Sequence, residues 1–440
     1  MSNDFIDRDS FRRIADTAIE ASSGDHTIVT LNDRAGATTR IANNQIVQNV
    51  NTRRSGISVS VAFGSRHGAA SSTDVSEESI TDAVRRAERI AKVSPEDPEY
   101  LPPLPAQRYP VLPTYRAVTA GATPGRLAAE ARTAIELCTA EHLTAAGIVS
   151  AYTDAVGVAA DTGLFAYEQR SRAQFSLTAT GEDSSGWVNN ANRSIDDLRV
   201  AGLTRVAIDK ARRSAKPREF PPGRYTAILE PACVDGLLGS IFFMLDAKSY
   251  HAGTSSFNGK LGERIFDPRL TLQNRPDHPA LLGNRFDAGG LPSDSRAWIE
   301  RGVLKRLNYD RFTAKQQGTE PTYRPDALHF SGTEPAGDSV DDLVRTTERG
   351  ILVTNFWYIR TVNPTDLTLT GMTRDGTFLI EDGRITTGLI NFRWHDSPLR
   401  VFDNVEAFTT PMDAITLERP KMLVPAMKVL DFNFSSVTRF

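Results

Sequence analysis

The sequence contains few side chains that could carry out catalytic chemistry. His251 lies close to Asp246, Ser255 and Ser256, so this stretch holds a base, an acid and two hydroxyl nucleophiles. No nucleophile-elbow sequence orients these groups, and the serines read as loop residues. A hydrolytic site around His251 is therefore kept only as an alternative.

The remaining candidate chemistry is equally sparse. His278 and the His395-Asp396 pair have no further ligand at metal-binding spacing, so we expect hydrogen-bonded or solvated histidines. Cys138 and Cys233 occur in apolar contexts typical of buried free thiols. Phosphate loops, dinucleotide fingerprints and Cys-x-x-Cys motifs are absent from the sequence.

The amino-acid composition limits the classes of protein to which this chain can belong. The 440 residues are 40% hydrophobic and 24% charged, which is typical of a soluble globular protein of two domains. A net charge of -3 gives no general attraction to nucleic acid or to anionic membranes. The polar N-terminus does not resemble a signal peptide, and no apolar run reaches about 18 residues. We expect a cytoplasmic protein that binds neither nucleic acid nor membrane.

The elements that would position any site follow from periodicity. Alternation over residues 57–63 predicts a strand, helical spacing predicts helices over 11–18, 80–91 and 232–247, and Ser10 and Ser194 read as helix caps. The proline-rich stretch 95–113 predicts a surface connection. Prolines near residue 220 mark a boundary. We predict an α+β fold, with an N-terminal α/β-layered domain over 1–219 and a strand-rich, antiparallel-sheet or barrel-like domain over 220–440.

Residues 350–383 are the most informative stretch. Apolar runs alternate with turn sequences, which predicts a meander of antiparallel strands. The predicted turns are Asn363-Pro364-Thr365-Asp366, Arg374-Asp375-Gly376 and Glu381-Asp382-Gly383.

The amino-acid sequence of this stretch resembles that of the TldD/PmbA (TldE) family. Further blocks that resemble the family follow the same order along the chain. These blocks are Phe220-Pro221-Pro222-Gly223-Arg224-Tyr225, Ser256-Phe257-Asn258-Gly259-Lys260-Leu261-Gly262-Glu263, Ile299-Glu300-Arg301-Gly302-Val303-Leu304-Lys305 and Val424-Pro425-Ala426-Met427-Lys428-Val429. The resemblance extends over nearly the whole chain and is strongest after about residue 220.

The family's metal motif is the feature that this sequence lacks. In the TldD branch a helix carries His-Glu-x-x-x-His, whose imidazoles hold zinc while the glutamate takes a proton from bound water. The resemblance places those positions at Gly239-Ser240-Ile241-Phe242-Phe243-Met244, so Gly239, Ser240 and Met244 replace the three functional residues. The third ligand, a cysteine near the C-terminus, has no counterpart around 409–411. An apolar helix in the core is the expected role of these positions.

Candidate substrate contacts remain. Thr370, Thr373 and Arg374 belong to a turn that PmbA-like members share, and the forked donors of Arg374 could hold a peptide carboxylate or carbonyl. The alternative is an arginine that ties a hairpin to a neighbouring acid. Tyr358, with Trp357, could line a peptide groove or pack in the core.

Asp287 is a further candidate contact on a loop where family members often carry more acidic residues. Here Ala288 and Gly289 take those places, which leaves the acidic role of Asp287 unsupported.

The resemblance implies a metal-free pseudoenzyme subunit of a two-component zinc metallopeptidase. A TldD-like partner would bring the zinc and form a heterodimer, this chain would bind no cofactor, and unfolded or leader peptides would be cleaved. The alternative is a non-enzymatic binding or regulatory protein, in line with the family's other label, modulator of DNA gyrase. A further alternative is a homodimer formed by the isolated chain.

Overall fold

The computed structural model describes residues 5–415 and 420–438. The helices of this part are Arg8–Ala21 (α1), Glu77–Val93 (α2), Ala117–Ala120 (α3), Pro124–Ala140 (α4), Val200–Arg213 (α5), Pro231–Met244 (α6), Ala247–His251 (α7), Arg311–Gln316 (α8), Val340–Arg345 (α9) and Pro398–Asp403 (α10). The strands are His26–Ala42 (β1), Gln45–Phe63 (β2), Arg66–Ser72 (β3), Thr144–Ala160 (β4), Phe165–Thr180 (β5), Ser185–Asn192 (β6), Gly223–Leu229 (β7), Leu270–Asn274 (β8), Ala297–Glu300 (β9), Val303–Leu304 (β10), Leu328–Gly332 (β11), Arg349–Asn363 (β12), Thr368–Glu381 (β13), Arg384–Gly388 (β14), Phe392–Asp396 (β15), Val405–Phe408 (β16), Met412–Ala414 (β17), Met422–Val424 (β18) and Met427–Val437 (β19).

The first half of the chain forms one antiparallel sheet in the order β3-β2-β1-β4-β5-β6. Side chains alternate along each strand, and the odd-numbered positions of β1, β4 and β5 supply the core residues that pack against α1, α2, α4 and α5. The helices therefore cover one face of the sheet. The opposite face carries the even-numbered positions of the same strands, and we call it the helix-free face.

Two predicted helix starts differ from the structure. α1 begins at Arg8 because the Asp7 carboxylate caps it, accepting from the Ser10 backbone N–H at 2.7 Å. Ser194 begins a 3-10 turn over Ile195–Leu198, and the left-handed conformation of Arg199 (φ 48°) breaks the helical path before α5. Ser194 therefore caps the 3-10 turn, and α5 begins six residues after it.

The second half contains a closed barrel and a second sheet. The strands β12, β7, β19, β15 and β13 pair in that order, and β13 pairs again with β12, so five strands close on themselves. The second sheet has the order β10-β9-β8-β11-β18-β17. Aromatic side chains fill the barrel: the ring centroid of Phe356 lies 4.6 Å from that of Trp394 and 5.8 Å from that of Phe432. The predicted α+β class with a strand-rich second half is confirmed, whereas the division at residue 220 stays a prediction.

The sequence Asp375-Gly376 does not make the predicted hairpin turn. β13 runs through both residues, and the register against β12 shifts between Val353 and Asn355. Asp375 has φ 58° and Gly376 has φ 135°, and the Thr354 hydroxyl donates to the Asp375 carbonyl at 3.0 Å. The pair therefore forms a bulge, which needs the same backbone conformations as a tight turn.

The two halves are joined by polar contacts. The Ser185 hydroxyl donates to Asp375 Oδ1 at 2.8 Å, and Lys210 Nζ lies 2.6 Å from Glu230 Oε2. Lys421 Nζ lies 3.0 Å from Asn192 Oδ1, which ties β6 to the residues before β18. Within residues 5–415 and 420–438, no helix is long and apolar enough to cross a membrane.

Candidate functional site

A cavity lies between α6, the β12–β13 hairpin and the end of the first sheet. Its volume is about 530 Å³, and it is open to solvent. Both halves of the chain contribute to its wall. The lining residues are Thr178, Trp187, Gly236, Gly239, Ser240, Phe243, Asn355, Phe356, Trp357, Tyr358, Ile359, Arg360, Thr361, Leu369, Arg374 and Asp375.

One face of α6 forms the floor of the cavity. Gly236, Gly239, Ser240 and Phe243 follow the i, i+3, i+4, i+7 spacing that places side chains on one side of a helix. Gly236 packs closely against the hairpin, because a Cβ there would lie 3.0 Å from Ile359 Cδ1. Phe243 projects from the same face with 72% of its surface exposed.

The polar groups of the replaced metal motif are already bonded. The Ser240 hydroxyl donates to the Leu237 carbonyl of its own helix at 2.8 Å. Met244 ends α6, and its sulfur lies 3.3 Å from the Ser256 hydroxyl. Gly239 is buried and has no side-chain donor atom.

These residues do not fit a zinc ion. Zinc in proteins takes imidazole, thiolate or carboxylate ligands, and catalytic sites use three of them. Gly239, Ser240 and Met244 supply none of the three kinds. In the described part of the chain, no group of three or more His, Cys, Asp and Glu is placed to hold a metal ion.

An irregular stretch of β12 forms the aromatic wall. The register with β13 shifts between Trp357 and Arg360, and Tyr358 takes the left-handed conformation with φ 55°. A bulge of this kind re-aims side chains and is unusual for a large aromatic residue. As a result Trp357 is 40% exposed and Tyr358 is 57% exposed, on a strand that is buried before this point.

Two guanidinium groups stack on these exposed rings. Arg374 Cζ lies 4.5 Å from the Trp357 ring centroid, and Arg360 Cζ lies 4.1 Å from that of Tyr358. Arg374 also faces its neighbour Asp375 across 3.7 Å. The side chain of Arg374 nevertheless remains 42% exposed, so its donors can reach a ligand in the cavity.

The structure brings some predicted site residues together and leaves others apart. Gly239, Ser240, Tyr358 and Arg374 all line the cavity. Thr370 and Thr373 do not line it. The Thr370 hydroxyl donates to the Trp394 carbonyl at 2.9 Å, which ties β13 to β15.

Thr373 and Asp287 have local structural contacts. The buried Thr373 hydroxyl accepts from the Phe392 backbone N–H at 2.9 Å. Asp287 accepts from the backbone N–H groups of Gly289 and Leu291, each at 2.9 Å, and so shapes its own loop away from the cavity. Burial raises the pKa of Asp287 above its usual value.

The stretch around His251 does not assemble into a hydrolytic site. His251 Nε2 lies 3.1 Å from the Tyr309 hydroxyl. Asp246 caps α7, and the Ser255 hydroxyl donates to the Met244 carbonyl at 2.7 Å. The acid and the hydroxyl group therefore have structural partners of their own.

Sequence reasoning missed much of the cavity wall. Gly236 and Phe243 could have been found, because they share the helical spacing of Gly239 and Ser240. Thr178 and Trp187 lie on the helix-free face of β5 and β6, in the other half of the chain. No local pattern in the sequence predicts that they reach the cavity.

Comparison with known proteins identifies the family. The family model described as the PmbA/TldA metallopeptidase C-terminal domain matches residues 222–436, and the one described as PmbA/TldA metallopeptidase domain 1 matches residues 29–91. A metalloprotease of Methanocaldococcus jannaschii is 23% identical over 364 residues, which cover 75% of this chain and 78% of that protein. The metalloprotease PmbA of Escherichia coli O157:H7 is 23% identical over 181 residues, 40% of this chain and 39% of that protein.

Solved structures share the fold. TldE from Thermococcus kodakarensis has a TM-score of 0.87 at 19% identity, covering 96% of this chain and 99% of that one. A Thermotoga maritima protein described as a candidate modulator of a DNA gyrase has a TM-score of 0.84 at 18% identity, covering 95% and 100%. The two family matches together span more than half of the sequence, and the chain therefore belongs to the PmbA/TldD metallopeptidase family.

Proposed function

We propose that this chain is the metal-free, peptide-binding subunit of a two-component zinc metallopeptidase. A TldD-like partner would supply the zinc and the proteolytic chemistry. The observation that carries the proposal is the cavity on α6, where Gly239 stands in place of a metal ligand and Ser240 in place of the glutamate base, and an open aromatic wall faces them. This arrangement favours binding of a substrate over its hydrolysis.

The aromatic wall on β12 could bind a peptide in a way that does not depend on the sequence of the peptide. Beyond Val353, β12 pairs with β13 on one side, and its other edge has no strand partner among the described residues. An extended peptide added to such an edge gains main-chain hydrogen bonds, while side chains contact the exposed rings. Unfolded segments meet this requirement and folded proteins do not.

The residues of this chain would act by holding the peptide. The exposed faces of Phe243, Trp357 and Tyr358 would cover apolar side chains. Arg374 would donate to a carbonyl or carboxylate of the peptide. Proton transfer and metal chemistry are assigned to the partner, and no such step is assigned to this chain.

Reconstitution tests the proposal. The purified chain is mixed with the TldD-like protein of the same cells, and cleavage of a fluorogenic unfolded peptide is followed. We expect the mixture to be active, the chain alone to be inactive, and Phe243→Ala to lower the activity of the mixture.

The control is Val111→Ala, which alters an exposed valine that is not part of the cavity wall. Peptidase activity of the partner that is unaffected by this chain would contradict the proposal. Peptide binding without any effect on the partner would favour the alternative of a regulatory binding protein.

A further inference from the structure

The helix-free face of the first sheet is rich in arginine. The exposed side chains of Arg34, Arg40 and Arg54 lie on it together with the half-buried Arg172. Over the same stretch Asp154 is the acidic residue that balances them, and it is bonded to Arg34. This part of the face therefore carries a positive charge, although the whole chain is slightly acidic.

Arg172 is the unusual member of this group. Its Nη2 donates to Gln174 Oε1 at 3.2 Å, while its Nε is buried and has no acceptor in the described part of the chain. The described residues place no carboxylate within ion-pairing distance of it. Burial, together with the neighbouring Arg34, lowers the pKa of Arg172.

A second unsatisfied donor lies beside it. Gln174 Nε2 donates to Asn189 Oδ1 at 3.2 Å, and the buried Nδ2 of Asn189 has no acceptor among the described residues. Arg172 and Asn189 therefore flank one glutamine, and each has a free N–H. Buried donors without partners, and cations without anions, are costly, so such groups are usually paired with a ligand or with water.

This pair of donors lies on the same face of the sheet as the cavity residue Thr178. Arg172, Gln174, Ser176 and Thr178 alternate along β5 on the helix-free face, and Thr178 lines the cavity. The cavity residue Trp187 donates from Nε1 to the Ser176 hydroxyl at 3.2 Å. At about 3.3 Å per residue, the six steps from residue 172 to residue 178 span about 20 Å, a length that an extended peptide of about six residues covers.

We propose that Arg172 and Asn189 form a carboxylate-binding subsite for the peptide held in the cavity. A carboxylate has two acceptor oxygens and would neutralise the half-buried guanidinium of Arg172, which matches the unsatisfied donors of Arg172 and Asn189. The carboxylate is an acidic side chain or the C-terminus of the peptide. The inference rests on the proposed peptide-binding function and adds a preference for acidic peptides.

The test measures binding of labelled unfolded peptides to the full-length chain by fluorescence anisotropy. One peptide carries glutamates and an amidated C-terminus, a second has glutamines in their place and a free C-terminus, and a third has glutamines and an amidated C-terminus. We expect one carboxylate-bearing peptide to bind about tenfold more tightly than the third, since hydrogen bonds to charged groups contribute that much. Which peptide gains identifies the source of the carboxylate.

Two variants and a control attribute the preference to the subsite. Arg172→Gln should abolish it and leave binding of the third peptide unchanged. Asn189→Asp keeps the oxygen that Gln174 contacts and places a carboxylate beside the subsite, so it should also abolish the preference, even if Arg172→Gln does not fold. Arg205→Gln, on the exposed surface of α5 across the sheet, should keep the preference.

Each remaining outcome has a distinct meaning. Equal binding of all three peptides overturns the subsite but leaves the proposed function standing. A preference that survives in Arg172→Gln or Asn189→Asp also overturns the subsite. Failure of all three peptides to bind overturns the proposed function, and the subsite with it.

Discussion

Trp357 provides the sharpest test of the aromatic wall. This residue is 40% exposed, and a tryptophan presents about 200 Å² of surface, so about 80 Å² is open to a ligand. Covering that area contributes about 2 kcal/mol at about 25 cal/mol per Å², which corresponds to about 30-fold in Kd. Trp357→Ala should weaken binding of an unfolded peptide by up to this factor. The substitution also removes the ring on which Arg374 stacks, and the loss of this contact should weaken peptide binding further.

The assay is an anisotropy titration of a labelled apolar peptide. Val111→Ala is the matched control, because Val111 is 92% exposed and is absent from the cavity wall. Thermal denaturation of both variants checks that they fold. A folded Trp357→Ala protein with the Kd of the unaltered chain would refute the assignment of this wall to peptide binding.

Three further predictions concern stability. Asp413→Ala should lower the free energy of unfolding, measured by urea denaturation, by about 3 kcal/mol. The substitution removes the carboxylate that lies 2.9 Å from the ammonium of Lys421, whose side chain is 1% exposed. An unchanged urea midpoint would contradict this prediction. Tyr358→Gly should raise the free energy of unfolding by about 1 kcal/mol, because glycine adopts φ 55° without strain. The same substitution should weaken peptide binding. A variant less stable than the unaltered chain would argue against strain at the bulge. Burial lowers the pKa of both His278 and His329, so their contribution to stability is complete above the unfolded pKa of about 6.5 and is lost as the pH falls through the lower folded values. Replacing both with Gln should therefore reduce the loss of stability on acidification, and an unaltered pH dependence of unfolding would contradict the assignment.

The class of fold could be predicted from the sequence because periodicity and turn residues are local properties. Alternation over 57–63 and helical spacing over 80–91 correspond to β2 and α2 in the structure. The sequence predictions were wrong where the same residues suit two different backbone geometries. Asp375-Gly376 supplies the positive φ values that a tight turn and a bulge both need, and pairing with β12 decides between them.

The cavity could be predicted in part for the same reason. Tyr358 and Arg374 lie on adjacent strands of one hairpin, so their proximity follows from local structure. Trp187 reaches the cavity because contacts such as Ser185 with Asp375 dock the first sheet against the barrel. Contacts between residues so far apart in sequence leave no periodic pattern. The donors of Arg172 and Asn189 were missed because hydrogen-bond satisfaction depends on three-dimensional neighbours.

The central claim is that this chain binds peptide and leaves the metal chemistry to a partner. The most direct test is to purify the tagged full-length chain from the cells that express it, and to measure zinc content and peptidase activity of what co-purifies. We predict a stoichiometric TldD-like protein, zinc that stays with that protein when the two are separated, and activity that requires it. Zinc and peptidase activity in the separated chain would contradict the account.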